Sequence, residues 1–192
     1  MNILLLQNLN KHIVLSEKEQ EYFFSFFEVR NIKKKGLLLR EGEINKGVAF
    51  VTNGLLRSYS VDKNGFEHII QFAPNDWWMV DMYSFVKQLP ARLFIDALDN
   101  TEFLWLSKEH LQKLYLAIPQ LEHYFRVLAE NSVISYQNRL ISNLSLPAVE
   151  RYQNFCEQYP SLIECLPQKQ VASYIGVTPE FLSKMLSTLK QE

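Results

Sequence analysis

From Gln120 to Leu146 the chain reads "QLEHYFRVLAENSVISYQNRLISNLSL", with no glycine or proline between Pro119 and Pro147. A stretch of that length lacking both turn-making residues is compatible with one continuous helix and with little else. Some 25 helical residues would extend roughly 40 Å at the usual rise of ~1.5 Å per residue. Leu121, Phe125 and Leu128 form an apolar stripe along it, continued less cleanly by Ile134, Ile141 and Leu144. Ser132 and Ser135 interrupt the middle, so the stripe is not a strict heptad. A rod of this kind divides the sequence into an N-terminal and a C-terminal part.

Glycine marks the N-terminal part. Gly36, Gly42, Gly47, Gly54 and Gly65 are five of only six glycines in the chain. Around them lie "GVAFVTNGLLRSYSV" and "FEHIIQFA", rich in β-branched and aromatic residues. "DKNG", Asp62 to Gly65, separates the two as a hairpin turn would. "RLFIDALDN" and "TEFLWLS" read as further strands. Closely spaced short strands with turn signals predict a β-sandwich or small barrel. "SEKEQEYFFSFF" from Ser16 reads as a helix with an acidic first turn, and "SKEHLQKLYLAI" as a helix entered at Ser107. With 192 residues, 47% of them hydrophobic, the chain can bury a sizeable core in one or two domains.

After the rod come a helix at "PAVERYQNFCEQY" and then "PQKQVASYIGVTPEFLSKML", Pro167 to Leu186. Val171, Ala172 and Ile175 share one helix face, as do Leu182, Met185 and Leu186. Gly176 between them suits a left-handed C-terminal cap. Thr178 offers an N-cap oxygen, and Pro179 falls at the first helical position, where its missing N–H costs nothing. Helix, tight turn, helix is the expectation. A helix-turn-helix needs a small residue where its helices cross, which is Ala172, and apolar residues inward, which are Val171, Ile175, Val177, Leu182 and Met185. Thr178, Glu180, Ser183 and Lys184 face outward, where they can reach base edges or phosphates. An ordinary αα-corner would meet the apolar demands equally well, and a solvated face looks like a reading face.

The formal net charge is only −1, so nucleic-acid binding would rest on a local patch. "RNIKKKG" concentrates Arg30, Lys33, Lys34 and Lys35, a pattern usual at a solvated strand end. Two cysteines, Cys156 and Cys165, supply neither a disulfide framework nor a cysteine-rich metal site, and a reduced cytoplasmic chain is expected. The start resembles no secretory signal, and no apolar run approaches membrane-spanning length. His12, His68, His110 and His123 are scattered without metal-ligand spacing, and nucleophile-elbow, P-loop and dinucleotide motifs are absent. No enzyme, metal or cofactor is expected. Trp77, Trp78, Tyr83, Phe85 and Phe94 either line an apolar cavity or form core.

Taken together, "LLREGEINKGVAFVTNGLLRSYSVDKNGFEHIIQFAP", "DALDNTEFLWLSKEHLQKL" and "QVASYIGVTPEFLSKML" resemble the Crp/Fnr family of bacterial transcription regulators over nearly the full length. The resemblance implies an α+β chain: a cyclic-nucleotide-binding-like β-roll of the double-stranded β-helix type (1–116), a long dimerisation helix (117–145) and a helix-turn-helix (146–192). It implies a homodimer on a palindromic double-stranded operator, with RNA polymerase and a small-molecule effector as further partners. Glu180 and Lys184 match the family's base-reading positions, while Gln168, Lys169, Thr178 and Ser183 complete the expected DNA contacts. Only "STLKQE" follows Leu186, so the family's β-hairpin wing is expected to be missing.

The phosphate-binding cassette also departs from the family. In "WWMVDMYSFVKQLPARLFIDAL", Val80 and Asp81 take the places of a Gly-Glu pair, and Ala91 and Arg92 those of an Arg-Ser pair. Val80 blocks the close backbone approach that glycine permits, so cyclic AMP is not the expected ligand. Trp78, Asp81, Tyr83 and Arg92 are the candidates for an effector pocket. The competing reading is a ligand-binding or protein-interaction module whose helix-turn-helix does not contact DNA.

Overall fold

The computed structural model describes residues 2–189; the end of the "STLKQE" tail, on which the expectation of a missing wing partly falls, lies outside the described residues. The fold is α+β, with two four-stranded sheets and eight helices among the described residues. It forms two compact units, one comprising residues up to Ser60 plus Ile70–Glu130, the other Val61–Ile69 plus Asn131 onward.

In the first unit, β1 (Glu28–Ile32), β8 (Thr101–Ser107), β3 (Gly47–Asn53) and β6 (Trp78–Met79) form one sheet in that order. The other runs β2 (Leu37–Leu39), β7 (Phe94–Ala97), β4 (Leu56–Val61), β5 (Glu67–Ala73). The pairings of β1 with β8, β8 with β3 and β4 with β7 are antiparallel. Successive side chains point to opposite faces of a strand. Accordingly Ala49, Val51 and Phe103 enter the space between the sheets with Leu39, Met79 and Ile95. Val48, Phe50, Leu104 and Leu106 point the other way, onto a helical layer. Burial on both faces explains why "VAFV" and "FLWL" are unbroken apolar runs rather than alternating ones.

That helical layer consists of α1 (Ile3–Asn10), α2 (Glu17–Phe24), α4 (Lys108–Ala117) and the start of α5 (Gln120–Ser145). The apolar "ILLL" near the N-terminus is the first turn of α1: Asn2 caps it, and Leu5 and Leu9 are fully buried. Ser16 opens α2 through a reciprocal capping box with Glu19, as its acidic start implied. Ser107 accepts from His110 N–H and opens α4 at the expected residue. Leu121 and Tyr124 of α5 are completely buried in this layer, with Phe125 and Leu128 against it. The first half of the predicted stripe is therefore core of the first unit, and only the later half is exposed.

One buried pair has no local sequence signal. Arg57 on β4 stands directly opposite Asp96 on β7. Its Nε donates to Oδ1 at 2.7 Å and its Nη2 to Oδ2 at 2.9 Å, a two-pronged bond between side chains 7% and 11% exposed. The guanidinium lies 4.2 Å from the centre of the Tyr59 ring, which stacks on Phe94.

In the second unit, the end of α5 is joined by α6 (Ala148–Gln158), α7 (Gln168–Ile175) and α8 (Pro179–Leu189). Phe155, Tyr159 and Tyr174 form an aromatic triangle with ring centres 5.2–5.5 Å apart, beside buried Leu162, Leu166, Ile175 and Leu182. The predicted hairpin turn is present: Asp62 N–H donates to Phe66 O, and Gly65 has φ 82°. The hairpin tip belongs to this unit through α7, where Ser173 Oγ donates to Glu67 O and accepts from Ile69 N–H. Arg139 Nη2 donates to both Ile69 O and Tyr174 O at 2.7 Å.

Candidate nucleic-acid interface

The stretch around Gly176 folds as its residues dictate. Gly176 adopts φ 72°, ψ 43°, and Val177 N–H reaches back to Ala172 O at 3.0 Å, closing α7. Thr178 Oγ1 accepts from Phe181 N–H at 3.2 Å and opens α8 one residue before Pro179. Ala172 and Leu182 have no exposed surface, as a close crossing of two helices requires. A β-carbon on Gly176 would sit 3.3 Å from Arg151 Nη1 in a left-handed conformation. Gly176→Ala should therefore cost about 1–2 kcal/mol, read by urea unfolding, with Gly176→Asn costing less.

Gln168 and Lys169 are exposed on the first turn of α7, and Glu180, Ser183 and Lys184 are exposed on α8. Glu180, Ser183 and Lys184 are three and four residues apart and share one face. Thr178 is exposed too, but its hydroxyl oxygen is already engaged as the helix cap. Phe181 is 53% exposed beside them. Sequence reasoning passed over it, although its place next to inward Leu182 puts it off the buried stripe of α8. Ser187 Oγ donates to Ser183 O and Thr188 Oγ1 to Lys184 O, so these two hydroxyls turn back onto their own helix.

The effector candidates divide into two groups. Asp81 is buried: its Oδ1 accepts from Ser84 N–H, capping α3 (Met82–Lys87), and its Oδ2 accepts from Arg92 N–H at 3.2 Å. The Arg92 guanidinium lies 4.0 Å from the centre of the Tyr83 ring. These three residues are brought together. Trp78 is turned instead into the helical layer, near Phe50 and Phe125, with its Nε1 donating to Tyr124 OH. Burial pushes the Tyr124 hydroxyl well above its ordinary value, and it donates to Asn8 Oδ1. Within the roll, a cleft of about 170 Å³ is bounded by Arg30, Glu43, Gly47, Met79 and Trp105. That is below the ~300–1,000 Å³ common for small-molecule pockets. Among the described residues no group of three or more metal-ligating side chains converges, and no helix is long and apolar enough to cross a membrane.

No protein-family model matches the chain. It is 20% identical over 190 residues to the regulatory protein HlyX of Actinobacillus pleuropneumoniae, across 92% of this chain and 78% of that protein. FixK2 from Bradyrhizobium japonicum superposes with a TM-score of 0.75 at 19% identity, over 86% of this chain and 85% of FixK2. A regulator of the Crp/Fnr family from Eubacterium rectale gives 0.70 at 14% identity, over 92% and 84% of the two chains.

Proposed function

We propose that this chain, which resembles the Crp/Fnr regulators in sequence and shares their fold, is a sequence-specific DNA-binding transcription regulator acting in the cytoplasm. The observation that carries the reading is the α7–Gly176–α8 corner, with the polar row Glu180, Ser183 and Lys184 exposed on α8. A helix of this kind fits the major groove, where Glu accepts from cytosine and Lys donates to guanine. Gln168, Lys169 and Ser183 would hold phosphates, and Thr178 would set where α8 begins.

The active species is a homodimer. Val133, Leu140 and Leu144 of α5 are 54%, 58% and 79% exposed, a row of large apolar side chains at helical spacing that a second copy of the rod would cover. Two-fold pairing would present two α8 helices to a palindrome with half-sites ~34 Å apart. RNA polymerase is a further partner proposed for this role. Asp81, Tyr83 and Arg92 are the residues proposed to meet an effector other than cyclic AMP. Micromolar binding of cyclic AMP or cyclic GMP in a calorimeter would overturn that part.

Selection of bound sequences from a random duplex pool tests the whole. A palindromic consensus is expected; no enrichment at low salt would instead favour an interaction module, the reading to which exposed Phe181 lends support. Lys184→Ala should relax preference at one base pair and cost about 1–3 kcal/mol. Lys169→Ala should weaken all sequences alike and flatten the dependence of affinity on salt. A changed base preference in Lys169→Ala would reverse these roles.

A further inference from the structure

A second cleft, of about 670 Å³, lies within the second unit between α5, α6 and α7. Its size is in the range of small-molecule sites. Arg139 and Arg151 line it, with amides from Asn138 and Asn154 and an apolar side made by Ile141 and Phe155. None of the residues proposed to contact DNA lines it.

Arg151 is the unusual member. Its Nε has no exposed surface and no hydrogen-bond partner, and no carboxylate lies within ion-pair distance of it among the described residues. A guanidinium atom removed from water without an acceptor carries a desolvation cost that a native fold normally offsets. Arg139 adds a second charge. Its guanidinium is held 3.9 Å from the centre of the Tyr174 ring, and burial pulls its pKa below the ordinary arginine value. An oxyanion would stabilise both charges and suits the planar guanidinium of Arg151, while Arg139, whose Nη2 is committed to the Ile69 and Tyr174 carbonyls, contributes charge. The amides can complete its hydrogen bonds, and the Ile141–Phe155 side suits an apolar body. The one carboxylate lining the cleft, Glu157, is exposed to solvent. Arg139 and Ser142 lie on a different side of α5 from the exposed Val133, Leu140 and Leu144 at ~100° per residue, so these two cleft residues are not in the row assigned to rod pairing.

We infer that this cleft binds a small organic anion, an oxyanion group on an apolar body, held chiefly by Arg151, with the positive charge of Arg139 beside it. The inference concerns the second unit alone and does not depend on DNA binding. Titration calorimetry on the full chain with phenyl phosphate, benzoate and inorganic phosphate tests it, alongside the Arg151 Nε–H resonance in ¹⁵N-correlated spectra. Saturable binding of phenyl phosphate or benzoate is expected, tighter than inorganic phosphate, with a shift of that resonance; whichever of the two binds names the anionic group. Arg151→Gln should weaken binding about tenfold to a hundredfold. If Arg151→Gln fails to fold, Arg151→Lys keeps the charge without the fork and should still lose most of the affinity. Absence of saturable binding to both organic anions, an unmoved Arg151 signal, or undiminished affinity in the folded variant would overturn the assignment.

Discussion

Asp96→Ala should destabilise the first unit by about 3–5 kcal/mol, because it removes the two-pronged carboxylate partner of the buried Arg57 guanidinium. Against a total stability of ~5–15 kcal/mol for an ordinary domain, that change brings the unit near unfolding at room temperature. Urea unfolding followed by tryptophan fluorescence reads it, since Trp77, Trp78 and Trp105 all lie in that unit. Removing both charges together, as Arg57→Met with Asp96→Leu, should recover most of the loss. A buried pair contributes little beyond a well-packed apolar replacement, whereas a broken pair is costly. If Asp96→Ala unfolds at the same urea concentration as the parent chain, the two-pronged bond is not what holds β4 and β7 in place.

On the proposed dimer, Leu140→Glu combined with Leu144→Glu should convert the protein to single chains and weaken operator binding about 10²–10⁴-fold. A helix-turn-helix dimer engages its second half-site at the high effective concentration set by the first, and a monomer loses that gain. Four carboxylates brought face to face across the rod would repel one another and would have to shed water. Both leucines are exposed on α5, 58% and 79%, so the substitutions should leave the folding of each chain intact. Analytical ultracentrifugation and a duplex-binding titration are the two measurements. Unchanged sedimentation would exclude this stripe as the subunit contact.

The helix-turn-helix was readable in the sequence because each of its signals acts within a few residues. Gly176 is left-handed, Thr178 caps α8, and Ala172 vanishes at the crossing, all decided by neighbours on the same short segment. The strands "TEFLWLS" and "GVAFVTN" and the Asp62–Gly65 turn were legible for the same reason. The short helix α3 inside the cassette was not anticipated: Asp81 caps it, and a carboxylate carries no mark in the sequence of that role. The stripe on α5 was also misleading as a single feature. Periodicity shows that a face is apolar, not what covers it, and Leu121 and Tyr124 are covered by their own unit.

The chain's local chemistry alone determined where its helices and turns begin and end, because caps, left-handed glycines and side-chain periods act over three or four residues. Tertiary structure alone decided which polar groups meet. Arg57 finds Asp96 across 39 residues of chain, and Arg139 reaches the carbonyl of Ile69 across 70. Such meetings depend on strand register and helix packing summed over the whole chain, and no short window of sequence carries that sum.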